Sequence, residues 1–293
     1  MTDVIIIGSG PAGVSASLYA IRAGLSVEVL SRGTGALEKA ALIENYYGFA
    51  EPVSGAELAS RGIAGARRLG VLFKEAEVVW IGMDDTLTHF VVETTTEKIE
   101  TRSIILATGA ARQSLPIPGL RELEGKGVSY CAICDAFFYR KKSVVVLGGG
   151  EYALHEAQVL LPVASSVTLC TNGSDKPADV PRELAVCTQT VEAVEGTDRV
   201  SAIRLADGNR IEAAGVFVAS GVAGSADLAR KIGAPISGSH IIVDDHMATA
   251  VPGLFAAGDA TGGLLQIAKA VYEGAQAGIS AAAYVRKRKG LSH

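Results

Sequence analysis

Two segments of this 293-residue chain leave few folds open, because each runs from an apolar strand through a glycine turn into a helix. The first is Val4-Ile5-Ile6-Ile7-Gly8-Ser9-Gly10-Pro11-Ala12-Gly13, followed by an apolar-periodic helix over residues 14–24 and the strand Val27-Glu28-Val29-Leu30. The second is Val144-Val145-Val146-Leu147-Gly148-Gly149-Gly150-Glu151-Tyr152-Ala153, with a helix through His155 to Leu161 and a strand from Val167 to Cys170. In the first, Gly8 permits the tight turn, Gly10 lets backbone N–H groups approach a pyrophosphate, and Gly13 lets the helix pack closely on the strand. A bare G-x-G-x-x-G is weak evidence, but between a strand and a helix it is strong. The repeat implies an α/β chain of two related Rossmann-like, three-layer nucleotide-binding units.

The length exceeds what one core organises, and 48% apolar residues are ample for two. Buried strands are expected at 104–110 and, as its counterpart, at 216–221. Pro116, Pro118 and the stretch 234–239 look like two crossings. Residues 1–113 with 241–293 would form one domain, and 114–240 a domain inserted into it. A net charge of −4 gives no general attraction to nucleic acid, and the basic runs at 140–142 and 286–289 are too short to alter that. No run of eighteen apolar residues occurs, so no membrane span is expected. The chain enters a strand at once, without a basic leader or cleavage site, which points to the cytoplasm.

Three chemical features stand outside the glycine turns. Cys131-Ala132-Ile133-Cys134-Asp135 places two thiols two residues apart, followed by a carboxylate, a spacing that suits dithiol–disulfide cycling but also zinc binding or unpaired thiols. Cys170 and Cys187 do not form a second such pair, and His155 and His246 have no ligand spacing, so no metal is expected. Near the end, Gly253-Leu254-Phe255-Ala256-Ala257-Gly258-Asp259-Ala260 reads as a buried strand delivering a carboxylate into a turn, and Leu265-Gln266-Ile267-Ala268 opens a helix. Asp259 could bind ribityl hydroxyls of a flavin, and the helix N-terminus could face its electron-rich edge. Taken alone, Asp259 is an ordinary capping residue. At the end of the second strand, Ser31 and Arg32 replace the usual acidic ribose ligand, which leaves the adenosine contact unassigned.

Together these segments resemble the low-molecular-weight thioredoxin reductase family of flavin disulfide reductases. The matching motifs are Gly8-Ser9-Gly10-Pro11-Ala12-Gly13, Glu44-Asn45, Ala107-Thr108-Gly109, Gly127-Val128-Ser129-Tyr130-Cys131-Ala132-Ile133-Cys134-Asp135 and Phe255-Ala256-Ala257-Gly258-Asp259. The resemblance implies non-covalent FAD in the first domain, an inserted domain of the NADPH-domain type, and a homodimer. It places Cys134 against the flavin, makes Cys131 the thiol that attacks thioredoxin, and makes Asp135 the acid that protonates the departing thiolate. Asn45, Asp259 and Gln266 match positions that touch FAD, and Thr108, Gly109, Gly258, Ile267 and Ala268 belong to the same motifs.

One departure is informative. Members that use NADPH carry H-R-R-x-x-x-R after the second strand of the inserted domain, where guanidinium groups grip the 2′-phosphate. Here the stretch is Thr171-Asn172-Gly173-Ser174-Asp175-Lys176-Pro177, and the family's later G-h-x-P-N is replaced by Gly221-Val222-Ala223-Gly224-Ser225. In this respect, and over 42–58, the chain looks most like the ferredoxin-dependent flavin thioredoxin reductases, so ferredoxin is the expected donor. A ferredoxin near about −400 mV reducing thioredoxin near about −270 mV releases roughly 6 kcal/mol per electron pair. The alternatives are an NAD(P)H-dependent thioredoxin reductase, a flavin-dependent dithiol oxidase and a non-catalytic redox sensor. The run Arg140-Lys141-Lys142 suits docking of an acidic protein, but a solvated loop face is the favoured reading.

Overall fold

The computed structural model describes residues 1–33, 35–109, 115–221 and 223–290. In chain order the elements are β1 (Thr2–Ile7), α1 (Pro11–Arg22), β2 (Val27–Ser31), α2 (Gly55–Arg68), β3 (Leu72–Glu75), β4 (Val78–Met83), β5 (Phe90–Thr94), β6 (Lys98–Leu106), β7 (Val128–Ser129), α3 (Ala132–Asp135), β8 (Ser143–Leu147), α4 (Glu151–Leu160), β9 (Ser166–Cys170), β10 (Ala185–Cys187), β11 (Val191–Gly196), β12 (Val200–Leu205), β13 (Arg210–Glu212), β14 (Gly215–Val218), α5 (Ser225–Lys231), β15 (Ile236–Ser237), β16 (His240–Ile241), β17 (Leu254–Ala256) and α6 (Ile267–Arg288). The chain divides into two compact units, Met1–Arg112 with Gly224–His293, and Gln113–Ala223.

In the first unit β1 is the hub. Val4 to Ile7 are buried, as expected of a parallel strand covered on both faces. Parallel strands run in the order β3-β2-β1-β6. The far edge of β6 is shared: Lys98–Thr101 pair antiparallel with β5, and Ile104–Leu106 pair parallel with β17. A five-stranded parallel sheet therefore continues into the antiparallel β4-β5-β6 meander. Helices α1 and α6 cross at small residues. A Cβ added at Gly274 would lie 2.1 Å from the Ala12 carbonyl oxygen, and one at Gly278 would lie 2.4 Å from that of Ala16. The basic run ends α6, where Arg286 donates to the Ala23 carbonyl at 2.6 Å and cations favour the helix dipole.

The second unit repeats the plan. All pairings in β10-β9-β8-β14-β7 are parallel, and β11-β12-β13 form an antiparallel sheet. Val145, Leu147 and Val216 of the first sheet share a core with Val191, Ile203 and Leu205 of the second. The glycine turns correspond in detail: Gly8 N–H donates to Leu30 at 2.8 Å, and Gly148 N–H to Cys170 at 2.9 Å.

The return crossing lies at 223/224 rather than at 240. Ser225 is bound to Thr108 in the first unit, and α5 packs on β4 of the same unit. The stretch 234–239 leads into the short β15–β16 hairpin instead of linking domains. The first expected crossing, at 113/114, lies outside the described residues. No described helix is long and apolar enough to cross a membrane.

Candidate active site

Cys131 and Cys134 form a disulfide, with Cα atoms 5.4 Å apart. The spacing works because α3 is one helical turn: Cys131 is its N-cap in extended conformation, and Cys134 closes the turn, its N–H 3.3 Å from Cys131 Sγ. Cys131 is 4% exposed, whereas Cys134 is exposed to solvent. Ser129 organises the approach. Its Oγ accepts the Cys131 N–H at 3.1 Å and donates to Asp135 Oδ2 at 2.7 Å, which fixes the carboxylate beside the disulfide. From α4, Glu156 accepts the Ala132 N–H at 2.7 Å. Burial, reinforced by the charge of Asp135, pushes the Tyr139 phenol above its ordinary range. Phe137 and Phe138, immediately after the motif, are 74% and 68% exposed.

The first glycine turn has the shape of a dinucleotide cradle. Gly8 has φ +112°, and a Cβ there would lie 2.3 Å from the Ala107 oxygen, so only glycine fits. A Cβ at Gly13 would lie 1.9 Å from the Gly8 oxygen, whereas one at Gly10 would meet nothing within 4 Å. The chain thus closes the turn from below and leaves the space at Gly10 open. Gly10 caps α1 without a side-chain hydrogen bond, so the first N–H groups of the helix remain for a ligand. A cavity of about 160 Å³ adjoins the turn, lined by Ser9, Gly10, Pro11, Leu37, Tyr46 and Ile267 among others.

Other expected ligand positions gather around this turn. The bridge between Ile43 and Val53 pins the loop that carries Asn45. Asn45 Nδ2 donates to Gln266 Oε1 at 3.1 Å, joining residues far apart in sequence at the start of α6. Gln266 caps that helix, which places Ile267 and Ala268 in its first turn. Gly258 packs on Ala12, where a Cβ would lie 2.8 Å from the Ala12 Cβ, and Asp259 follows in a short 3₁₀ turn. Glu273 and Lys269 build that turn. Glu273 Oε2 accepts from Gly258 N and Thr261 Oγ1, both at 2.8 Å, and Lys269 donates to the Gly258 carbonyl at 2.8 Å. Thr108 hydrogen-bonds Ser225 through both its amide and its hydroxyl, and Gly109 follows with φ +85°. Arg32 is paired with Glu77 at 2.6 Å, and the adenosine contact stays unassigned.

At the second turn a Cβ at Gly150, the counterpart of Gly10, would lie 3.3 Å from the Gly221 carbonyl oxygen. A Cβ at Gly149 would lie 3.0 Å from Ser174 Cβ and 3.3 Å from Thr171 Cβ. The loop beside Gly149 is tied down: Thr171 Oγ1 donates to the Ser174 carbonyl, Gly173 N–H to Thr188, and Asn172 Oδ1 accepts the Val191 N–H at 2.8 Å. No basic side chain occurs in 171–175. Cys170 and Cys187 lie in direct register on β9 and β10, and burial, with Cys187 beside it, pushes the Cys170 thiol far up.

Sequence reasoning did not single out Ser129, Glu156, Ser225, Lys269 or Glu273. Each acts by binding a backbone group or a neighbour of a motif residue, and no short motif encodes that.

Residues 2–274 match the family model described as pyridine nucleotide-disulphide oxidoreductase. The chain is 38% identical to the thioredoxin reductase of Treponema pallidum, with 97% of each chain covered. Among solved structures it is similar to an atypical thioredoxin reductase from Desulfovibrio vulgaris Hildenborough, with TM-score 0.92, 38% identity, and 98% and 99% of the two chains covered. It is also similar to a ferredoxin-flavin thioredoxin reductase from Clostridium acetobutylicum, with TM-score 0.71, 31% identity, and 99% and 98% covered. With the disulfide in one unit and the open glycine cradle in the other, these likenesses establish that the chain is an oxidoreductase belonging to the pyridine nucleotide-disulphide oxidoreductase family.

Proposed function

We propose that the protein is a thioredoxin-disulfide reductase that draws electrons from FAD and passes them through Cys134 and Cys131. The observation that carries this reading is the Cys131–Cys134 disulfide with Asp135 held beside it by Ser129. FAD is the cofactor of the thioredoxin reductases of this family. The open space at Gly10, the uncapped start of α1 and the paired Asn45 and Gln266 fit such a group, with Asp259 and Thr108 at its rim. When bound, FAD supplies the electron pair that opens the disulfide. The remaining steps belong to the chain. Reduction leaves two thiols. The Cys131 thiolate attacks one sulfur of the thioredoxin disulfide, and the other sulfur leaves and takes a proton from Asp135. The Cys134 thiolate then attacks Cys131 Sγ, which restores the disulfide and releases dithiol thioredoxin. Cys131 is buried in the oxidised state, so its attack requires its sulfur to become accessible. Exposed Phe137 and Phe138 beside the pair favour a protein substrate over a small dithiol.

For the donor we favour reduced ferredoxin over NADPH, with a homodimer as the working unit. The loop at 171–174 lies beside Gly149 of the second glycine turn, and the stretch 171–177 carries none of the family's arginines, with Lys176 and Arg182 the nearest cations in sequence. Anaerobic mixing of the yellow protein with NADPH, NADH and a reduced ferredoxin tests this through bleaching of the flavin band. Ferredoxin alone should bleach it rapidly. Rapid bleaching by NADPH would sink the ferredoxin reading.

A further inference from the structure

Cys170 and Cys187 take no part in the Cys131–Cys134 chemistry, and both are free thiols. The fold nevertheless pairs them, as the last residues of β9 and β10 in direct parallel register. Strands so paired lie about 4.8 Å apart, inside the roughly 4.4–6.8 Å range of Cα separations that a disulfide spans. Both side chains point to one face of the sheet, since Cys187 packs against the core cluster that contains Cys170. The two thiols lie within hydrogen-bonding reach of each other. No group of three or more His, Cys, Asp or Glu side chains able to hold a metal ion occurs among the described residues, so the pair is not part of such a cluster.

The two positions differ in access. Cys170 is 0% exposed, and burial makes it a poor first nucleophile, whereas Cys187 is partly exposed and meets reagents from solvent. Strand β10 has three residues and lies at the sheet edge, so it can follow its sulfur with little disturbance. We propose that Cys170 and Cys187 are a second redox site, forming a reversible disulfide by exchange with low-molecular-weight disulfides. The Cys187 thiolate attacks one sulfur of the small disulfide, forming a mixed disulfide and releasing one thiolate, which takes up a proton. Cys170 gives its proton to solvent and attacks Cys187 Sγ, displacing the second thiolate, which is protonated in turn. The cysteines lose two electrons and two protons, and the small disulfide becomes two thiols. The new bond closes the loop that passes beside Gly149. It fastens the same residues whose carbonyls hold the second glycine turn: Cys170 accepts from Gly148 N–H, and Cys187 from Thr171 N–H, both at 2.9 Å.

The test uses the FAD-loaded protein, fully reduced, freed of reductant and incubated with oxidised glutathione at mildly alkaline pH. The product is denatured in iodoacetamide, digested without reduction and read by peptide mass. The wild type should yield the Cys170 and Cys187 peptides joined by a disulfide, and added reduced glutathione should return both to thiols. Cys170→Ser should stop at the mixed disulfide on Cys187. The treatment should also raise the wild-type melting temperature by about 5 °C or more beyond any rise in Cys187→Ala, as expected for a loop closed in the unfolded chain. That comparison removes the contribution of Cys131 and Cys134, which both proteins retain. Recovery of Cys170 and Cys187 as separately alkylated peptides, or of wild-type Cys187 as the mixed disulfide only, overturns the proposal. Both readouts concern these two cysteines alone, so they decide the matter whichever donor and substrate serve the Cys131–Cys134 pair. The wild-type peptide masses carry the decision even where a cysteine variant does not fold.

Discussion

Gly274→Ala probes the contact on which the cofactor cradle rests. The added methyl would lie 2.1 Å from the Ala12 carbonyl oxygen and 2.8 Å from its carbon, about 1.3 Å short of the 3.4 Å at which ordinary contact begins. The obstacle is backbone in the first turn of α1, next to Gly10 and Gly13, so no side chain can swing aside. Helices α1 and α6 must separate or tilt, and a gap of even 0.5–1 Å forfeits about a quarter to a half of the dispersion energy of each contact it opens. Overpacking of this kind costs about 3 kcal/mol, or roughly 6 °C or more in melting temperature for a unit of this size. The displacement also moves Ala12 against Gly258, so the variant should retain less flavin through purification. Gly65→Ala in α2 is the control, because an added Cβ there meets nothing within 4 Å; it should be neutral or stabilising by about 0.5 kcal/mol. Thermal melts followed by circular dichroism and by flavin fluorescence measure both effects. If Gly274→Ala melts with wild type and keeps its flavin, the helix contact does not set the cradle.

Glu273→Gln should leave the half-buried Lys269 without its counter-charge at the Gly258 turn, at a cost of about 2 kcal/mol, and weaken flavin retention in a reconstitution titration. Burial alone would raise the pKa of Asp3, but hydrogen bonds from Lys289 and Ser26 hold it below the ordinary carboxylate range. A depressed native pKa stabilises the fold above the unfolded value of about 3.9, and that stability is lost as pH falls through the native value. The melting-temperature gap between wild type and Asp3→Asn should therefore be full near about pH 6 and close below about pH 4. With the Cys170 thiol pushed up by burial, iodoacetamide at mildly alkaline pH should label Cys187 in the native protein and Cys170 only after denaturation.

The parallel sheets were legible because runs such as Val4–Ile7 and Val144–Leu147 are buried on both faces, and the glycines after them have positional meaning that periodicity exposes. Asn45 and Gln266 were found through a family motif, but their mutual hydrogen bond depends on a loop pinned by Ile43 and Val53, which no local pattern encodes. The antiparallel meanders were not read, since β13 has only three residues and register shifts interrupt the β4–β5 and β11–β12 pairs. The crossing expected near 240 failed for a similar reason. Glycine, serine and proline mark a turn equally well inside a unit and between units, and the Thr108–Ser225 bonds that decide the matter are long-range. Glu156 looked like any helix residue until the fold turned it toward Ala132.

The central claim is that electrons leave the flavin for thioredoxin through the Cys131–Cys134 pair. The most direct test reduces the FAD anaerobically with light and a sacrificial donor, so that neither ferredoxin nor a nucleotide is needed, and then adds oxidised thioredoxin. Flavin absorbance and new thioredoxin thiols are followed together in wild type and in Cys134→Ser. The account predicts that flavin colour returns as dithiol thioredoxin appears in wild type, and that neither change occurs in the variant. Thioredoxin left oxidised by the wild-type protein, or reduced equally well by Cys134→Ser, would contradict it.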